Sequence, residues 1–170
     1  MLPIVLNPRT LRVGVAGAGK GLARRLELLT VAEVSPSAIF EGFLPSAEDL
    51  AVLNLLFVAG LEEGASREVA FLARRSGVFV NVEDQPALCD FHVPAQVRRG
   101  DLLFTISSGG RSPGLARALK EDIERRFGPE WDERLEQIAR LRAQWRSQGA
   151  SIEEISLRTR NYLEAKEWLA

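Results

Sequence analysis

Residues 81–95, "NVEDQPALCDFHVPA", gather the side chains best suited to chemistry in this chain: its only cysteine, its only histidine, three acids and two prolines. Three readings of that mixture are open: a connecting loop, a metal site, or the rim of a catalytic pocket. The metal reading runs short of ligands, because Cys89 and His92 make two and a structural zinc takes three or four. Cys89 is expected to be a small buried residue, and His92 a surface or packed histidine. Asp84 stands just beyond the strand-like "VFVNV" (78–82). The carboxyl end of a parallel strand faces the crevice where open α/β sheets hold their ligands.

A second stretch, "GAGKGL" (17–22), follows a strand-like run and precedes helical spacing. That is the context in which glycine-rich turns bind a dinucleotide pyrophosphate. Gly17 permits the tight turn and Gly19 lets backbone approach phosphate oxygens. The helix that follows presents unpaired amides and a partial positive charge. Lys20 is followed by Gly21 and not by Ser or Thr, so a Walker A loop is excluded. Leu22 stands where a small residue normally closes the helix onto the strand, with Gly21 beside it as partial compensation. The apolar piece "VAEVSP" (31–36) carries no acid at its end to bind a ribose, Glu33 falling too early, and no arginine follows to favour a 2′-phosphate.

The elements that must position these residues follow from periodicity. "LRVGVAG" (11–17) reads as a buried strand, then Leu22, Leu26 and Leu29 share a helical face while Arg24, Arg25 and Glu27 face water. "VAEVSP" and "AIFEGFLP" (38–45) each read as a short strand stopped by proline. "SAED" (46–49) is a capping box opening a short helix, and "LNLLFVAG" (53–60) is a buried strand. Residues 63–76 form an amphipathic helix with Ala65, Val69, Leu72 and Ala73 inward and Gly77 as its stop. Strands are then expected at 78–82, 95–99 and 102–108. The alternation favours a parallel sheet covered by helices on both faces.

From Ser112 the character changes to helices. "SP" (112–113) starts one, residues 130–147 another, and "SIEE" (151–154) caps a third. The expected division is an α/β domain over 1–112 and a helical region over 113–170. Such a tail has little interior of its own, so its stripes, with Trp131, Trp145 and Trp168, must pack on the sheet domain or on a second subunit.

Composition sets outer bounds. The chain has 170 residues, 46% hydrophobic and 26% charged, which suits one folded core with an appendage. A net charge of −1 argues against bulk attraction to nucleic acid or anionic membranes. One cysteine allows no internal disulfide, the run at 50–61 is too short to span a bilayer, and the N-terminus does not read as a signal peptide. The expectation is a cytoplasmic protein with neither nucleic-acid nor membrane partners.

With these motifs in place the chain resembles the precorrin-2 dehydrogenase family, the module that begins bacterial sirohaem synthase. The resemblance rests on Leu2-Pro3, the glycine turn with Arg24-Arg25, "NVED" (81–84), "CDFHVPA" (89–95) and "SSGGRSPGLAR" (107–117), and covers roughly residues 2–127. It implies a Rossmann-like fold and NAD-dependent oxidation of precorrin-2 to sirohydrochlorin, with a tail that makes a homodimer. It also implies Asp84 as the catalytic residue, and Ser108 and Gly109 in a substrate-facing loop. Arg98, Arg99, Arg111 and Arg117 are candidates for the substrate's carboxylates. The cofactor set is Gly17, Ala18, Gly19, Lys20, Gly21, Leu22, Pro36, Ser37 and Gly60. Gly60 stands where the family usually has threonine, and the connection between the first helix and "VAEVSP" is shorter than the family pattern. Two further readings stay open: a chelatase inserting a metal into sirohydrochlorin, using Asp84 with His92, and a tetrapyrrole- or nucleotide-binding module without turnover.

Overall fold

In the computed structural model, which describes residues 2–169, four short strands pair in parallel in the order β2-β1-β3-β4. They are β1 (Val13–Gly17), β2 (Ala38–Glu41), β3 (Leu55–Ala59) and β4 (Phe79–Val82), linked by α1 (Gly19–Val31), α2 (Ala47–Ala51) and α3 (Glu63–Arg75). Side chains alternate across this sheet as the strand period requires. Val13, Val15 and Phe57 face one layer with Leu22 and Leu29 of α1. Ala16, Leu56, Val58, Val80 and Val82 face the other, with Leu50 of α2 and Val69, Ala70 and Ala73 of α3. Burial on both faces explains why the strands read as near-continuous apolar runs.

Helix ends carry their own signatures. Ser46 and Asp49 form the expected reciprocal capping box at α2. At the end of α3, Gly77 takes a φ of +75° and Val78 N–H returns to the Ala73 carbonyl, a Schellman closure. Helix α1 closes the same way without glycine: Glu33 takes φ 57°, its N–H reaches Thr30, and Val34 N–H reaches Leu29. This overturns the expected strand at "VAEVSP". Its first residue completes α1, the next ones spend their amides on the Schellman closure, and Pro36 has no amide to pair. The second strand is therefore "AIFE", with Ala38 opposite Gly14 and Glu41 opposite Gly17. Arg25 also departs from expectation: its guanidinium lies 5.6 Å from the Phe57 ring centre and does not face water.

The chain divides into two compact units, one up to Val93 and one from Pro94. The expected boundary lay at 112, and the difference comes from β5 (Ala95–Arg99) and β6 (Leu102–Ile106). These do not extend the parallel sheet. They form an antiparallel hairpin, Arg99 opposite Leu102, because the Gly100-Asp101 link is far shorter than the dozen residues a parallel crossover needs. In this second unit follow α4 (Pro113–Arg126), α5 (Trp131–Ser147) and α6 (Ile152–Ala165), with Ser112 and Ser151 as the expected N-caps. The unit has more interior than its stripes suggested. Phe104, Phe127, Trp131, Trp168 and Tyr162 stack in sequence, and Arg134 lies between Trp131 and Trp168 at 5.0 and 4.9 Å.

Candidate active site

Parallel pairing puts the carboxyl ends of all four strands along one edge of the first unit, and that edge collects the chemistry. Glu41 ends β2, Gly17 ends β1, Ala59-Gly60 ends β3, and Glu83-Asp84 follows β4. Neighbouring strands lie about 4.8 Å apart, so the strands leading to Gly17 and to Asp84, two places apart, are roughly 10 Å from one another.

The glycine turn is built by close backbone approach. Ala18 N–H donates to the Ala59 carbonyl at 3.1 Å. A Cβ on Gly17 would collide with that same carbonyl oxygen, and one on Gly60, at φ +69°, with the Ala18 carbonyl. Gly60, where threonine was the usual residue, is thus required here by backbone geometry. At Gly21 a Cβ would come within 2.6 Å of Gly60 N. Gly19 differs: its φ is +55° and the space beside it is open. No side chain caps the first turn of α1, whose N-cap is Ala18. An uncapped 13-residue helix behind an open glycine fits a pyrophosphate, which would take the unpaired amides of the first turn.

Two expected cofactor residues are not brought to this edge. Ser37 N–H bonds the Val13 carbonyl at 2.7 Å, so Pro36 and Ser37 lie at the amino end of β2, a strand's length from the turn. Glu41 takes the place beside Gly17. The sequence alone does not mark it, because Pro36 reads as the end of the second strand; the acid four residues into "AIFEGF" is the available signal.

Asp84 is exposed and holds φ +58°, a left-handed conformation uncommon for a non-glycine residue. Such backbone persists where flanking contacts over-determine it, and it clusters at functional sites. The flanks here are well defined. On one side Glu83 N–H bonds the Val58 carbonyl at 2.9 Å. On the other, residues 89–91 strap the outer edge of β4. Val80 N–H donates to Asp90 Oδ2 at 2.9 Å and its carbonyl accepts from Asp90 N–H at 2.8 Å. Val82 N–H donates to Cys89 Sγ at 3.2 Å, and that thiol lies 3.2 Å from the Val82 carbonyl. Arg74 secures Asp90 at 2.8 Å, and Phe91 packs edge-on against Phe57. "CDF" is thus a device that satisfies an otherwise open sheet edge. His92 beyond it is exposed. Among the described residues no group of three or more His, Cys, Asp or Glu is arranged to hold a metal.

The remaining candidates belong to the second unit. Ser108 Oγ accepts from Ser112 N–H at 3.1 Å, shaping a turn whose Gly109 and Gly110 have φ of +65° and +78°. This turn leads into the N-terminus of α4, with Arg111 exposed in it. Arg98 is exposed, and Arg117 pairs along its helix with Glu121 at 3.1 Å. Arg99 is engaged otherwise: it donates to the carbonyls of Phe127 at 2.8 Å and Glu124 at 3.3 Å, capping the end of α4. It is the least available of the four arginines.

A family model described as putative NAD(P)-binding matches residues 4–95. The siroheme synthase of Methylococcus capsulatus is 36% identical over 141 residues, 72% of this chain and 30% of that protein. The siroheme synthase of Nitrosomonas europaea is 31% identical over 162 residues, 83% of this chain and 34% of that protein. The chain therefore spans about a third of the length of these curated relatives. Among solved structures, SirC, a precorrin-2 dehydrogenase, superposes with a TM-score of 0.78 at 18% identity, covering 100% of this chain and 93% of that one. That likeness is one of fold. With more than half its length matched by the family model, and in keeping with its resemblance to the precorrin-2 dehydrogenases, the chain belongs to the putative NAD(P)-binding family.

Proposed function

We propose that this chain catalyses the NAD-dependent dehydrogenation of precorrin-2 to sirohydrochlorin. The observation that carries the reading is Asp84, an exposed carboxylate held left-handed at the end of β4 on the same sheet edge as the uncapped N-terminus of α1. When bound, NAD⁺ supplies the hydride acceptor. The chain's own residues do the rest. The amides of Gly19, Lys20 and Gly21 would hold the pyrophosphate, and the Glu41 carboxylate beside Gly17 would hold the adenosine ribose hydroxyls. As a carbon of the macrocycle gives up hydride, one of its ring nitrogens gives up a proton, which the Asp84 carboxylate accepts.

Precorrin-2 carries many carboxylates, and the Ser108-Gly109 turn with Arg111, Arg98 and Arg117 is the proposed set that meets them. The tail is proposed to make a homodimer, and the protein to work in the cytoplasm; no helix among the described residues is long and apolar enough to cross a membrane. The test is direct. Purified protein given precorrin-2 and NAD⁺ should produce the absorbance of sirohydrochlorin, and folded protein that neither binds NAD⁺ nor yields product would refute the reading.

A further inference from the structure

Glu83 is an acid that neither the glycine turn nor the β4 strap uses. Its carboxylate meets Arg24 in a two-point fork, Nε to Oε1 at 3.3 Å and Nη2 to Oε2 at 3.1 Å. Arg25 Nη2 stands 3.9 Å from Oε1. Both arginines belong to α1, one turn beyond the uncapped amides. An ordinary surface ion pair contributes little and is screened by salt. Here the Arg24 side chain is itself 60% exposed, and what sets the pair apart is the enclosed acid it meets. The Glu83 side chain is 16% exposed and that of Arg25 17%, and Arg25 Nε is buried without a partner. A Cβ on Gly21 would lie 2.9 Å from Glu83 Oε2, so the glycine turn leaves room for this carboxylate. Arg24 also responds to both acids: its guanidinium is held above the usual range first by Glu83 and, more weakly, by Asp84.

We propose that Glu83 is a positioning residue that ties the Asp84 turn to the first turns of α1. Glu83 is anchored twice, through its amide to β3 and through its carboxylate to α1. Asp84, its neighbour, occupies a conformation that an unrestrained chain leaves readily. The tether holds the proton acceptor and the pyrophosphate-facing helix as one body, which fixes where the carboxylate stands relative to the bound cofactor. The proposal rests on the dehydrogenase reading above for its consequence in turnover.

The test compares native protein with Glu83→Gln, which keeps the shape and removes the charge, and with Arg24→Lys, which keeps the charge and removes the fork. Arg67→Gln, breaking an exposed pair with Glu63 on α3, serves as the control. Amide exchange at Gln85 and Leu88, whose N–H groups bond the Val82 and Gln85 carbonyls, should rise about tenfold in both Glu83→Gln and Arg24→Lys and not in the control, with β1 and β3 amides unchanged. With NAD⁺ and precorrin-2, kcat should fall about tenfold or more while the KM for NAD⁺ moves less than about threefold, the signature of misplacement and not of lost binding. Unchanged exchange at Gln85 and Leu88 overturns the tether, as does faster exchange with an unaltered kcat. Native protein that turns nothing over refutes the dehydrogenase reading by itself, and the exchange measurement then still decides whether Glu83 holds the turn. A global loss of protection in Glu83→Gln would make it a folding residue and overturn the proposal.

Discussion

Three carboxylates within the first unit differ in their neighbours, and the tasks proposed for them differ accordingly. Asp84 is exposed and, among the described residues, in no ion pair within 4 Å, Asp90 is bonded to the Val80 amide and Arg74, and Glu41 lies at the end of an edge strand. Asp84→Asn keeps volume and hydrogen-bonding shape but cannot take a proton. It should lower kcat by roughly 10²–10⁴-fold, read from sirohydrochlorin absorbance, with NAD⁺ affinity within about twofold by calorimetry. An acid at the position of Glu41 repels a 2′-phosphate, so NAD⁺ should bind at least about tenfold more tightly than NADP⁺. Glu41→Ala should narrow that gap chiefly by weakening NAD⁺. Affinities for the two cofactors that already match in the native protein would remove Glu41 from the site. Cys89 and His92, the residues that first suggest a metal, divide into a strap contact and an exposed side chain.

Among the elements, the turn between β1 and α1 is the least tolerant. Gly17→Ala forces a methyl group into the Ala59 carbonyl, backbone against backbone, and should cost about 1–3 kcal/mol in urea unfolding. Helix α2 depends on its cap. The Ser46 amide and hydroxyl hold the Asp49 carboxyl below the ordinary aspartate range, the amide contributing more. An acid depressed in the folded state adds stability that is complete above its unfolded pKa and is lost as pH falls through its folded one. Asp49→Asn should therefore lower the urea midpoint at pH 7, and the difference from native protein should shrink as the pH drops below the normal carboxylate range. A gap that stays constant with pH would deny the carboxylate its role. Capping boxes, the Pro113 start and the Gly77 stop were all legible because each is a local backbone requirement met by a particular residue type. The closure of α1 was not legible, since Glu33 does there what glycine does at the end of α3.

At the scale of the whole molecule the second unit carries an unpartnered apolar face on α4. Leu115 and Leu119, one turn apart, are 55% and 44% exposed. If the tail makes the homodimer, the native protein should sediment at about twice the 18.8 kDa chain mass, and Leu115→Glu with Leu119→Glu should give a monomer with its helical content intact. A native monomer, or a dimer indifferent to both changes, would place the contact elsewhere or remove it. The test leaves the β5–β6 hairpin in place, which matters because that hairpin packs on α4 and shares its unit.

By itself the sequence determined the parallel α/β architecture, the glycine turn, every helix start in the second unit and the family resemblance, because each is written in contiguous residues of fixed type and period. Tertiary structure decided what depended on register and on partners distant in the chain. Pairing with β1 chose "AIFE" over "VAEVSP" as the second strand and so put Glu41 beside the glycine turn, taking Pro36 and Ser37 to the opposite end of the sheet. A two-residue link turned two expected sheet strands into a separate hairpin. The contact of Glu83 with Arg24, 59 residues apart, appears only when α1 is laid across the sheet. Periodicity reports which face of an element is buried, and the neighbour it is buried against is settled by folding.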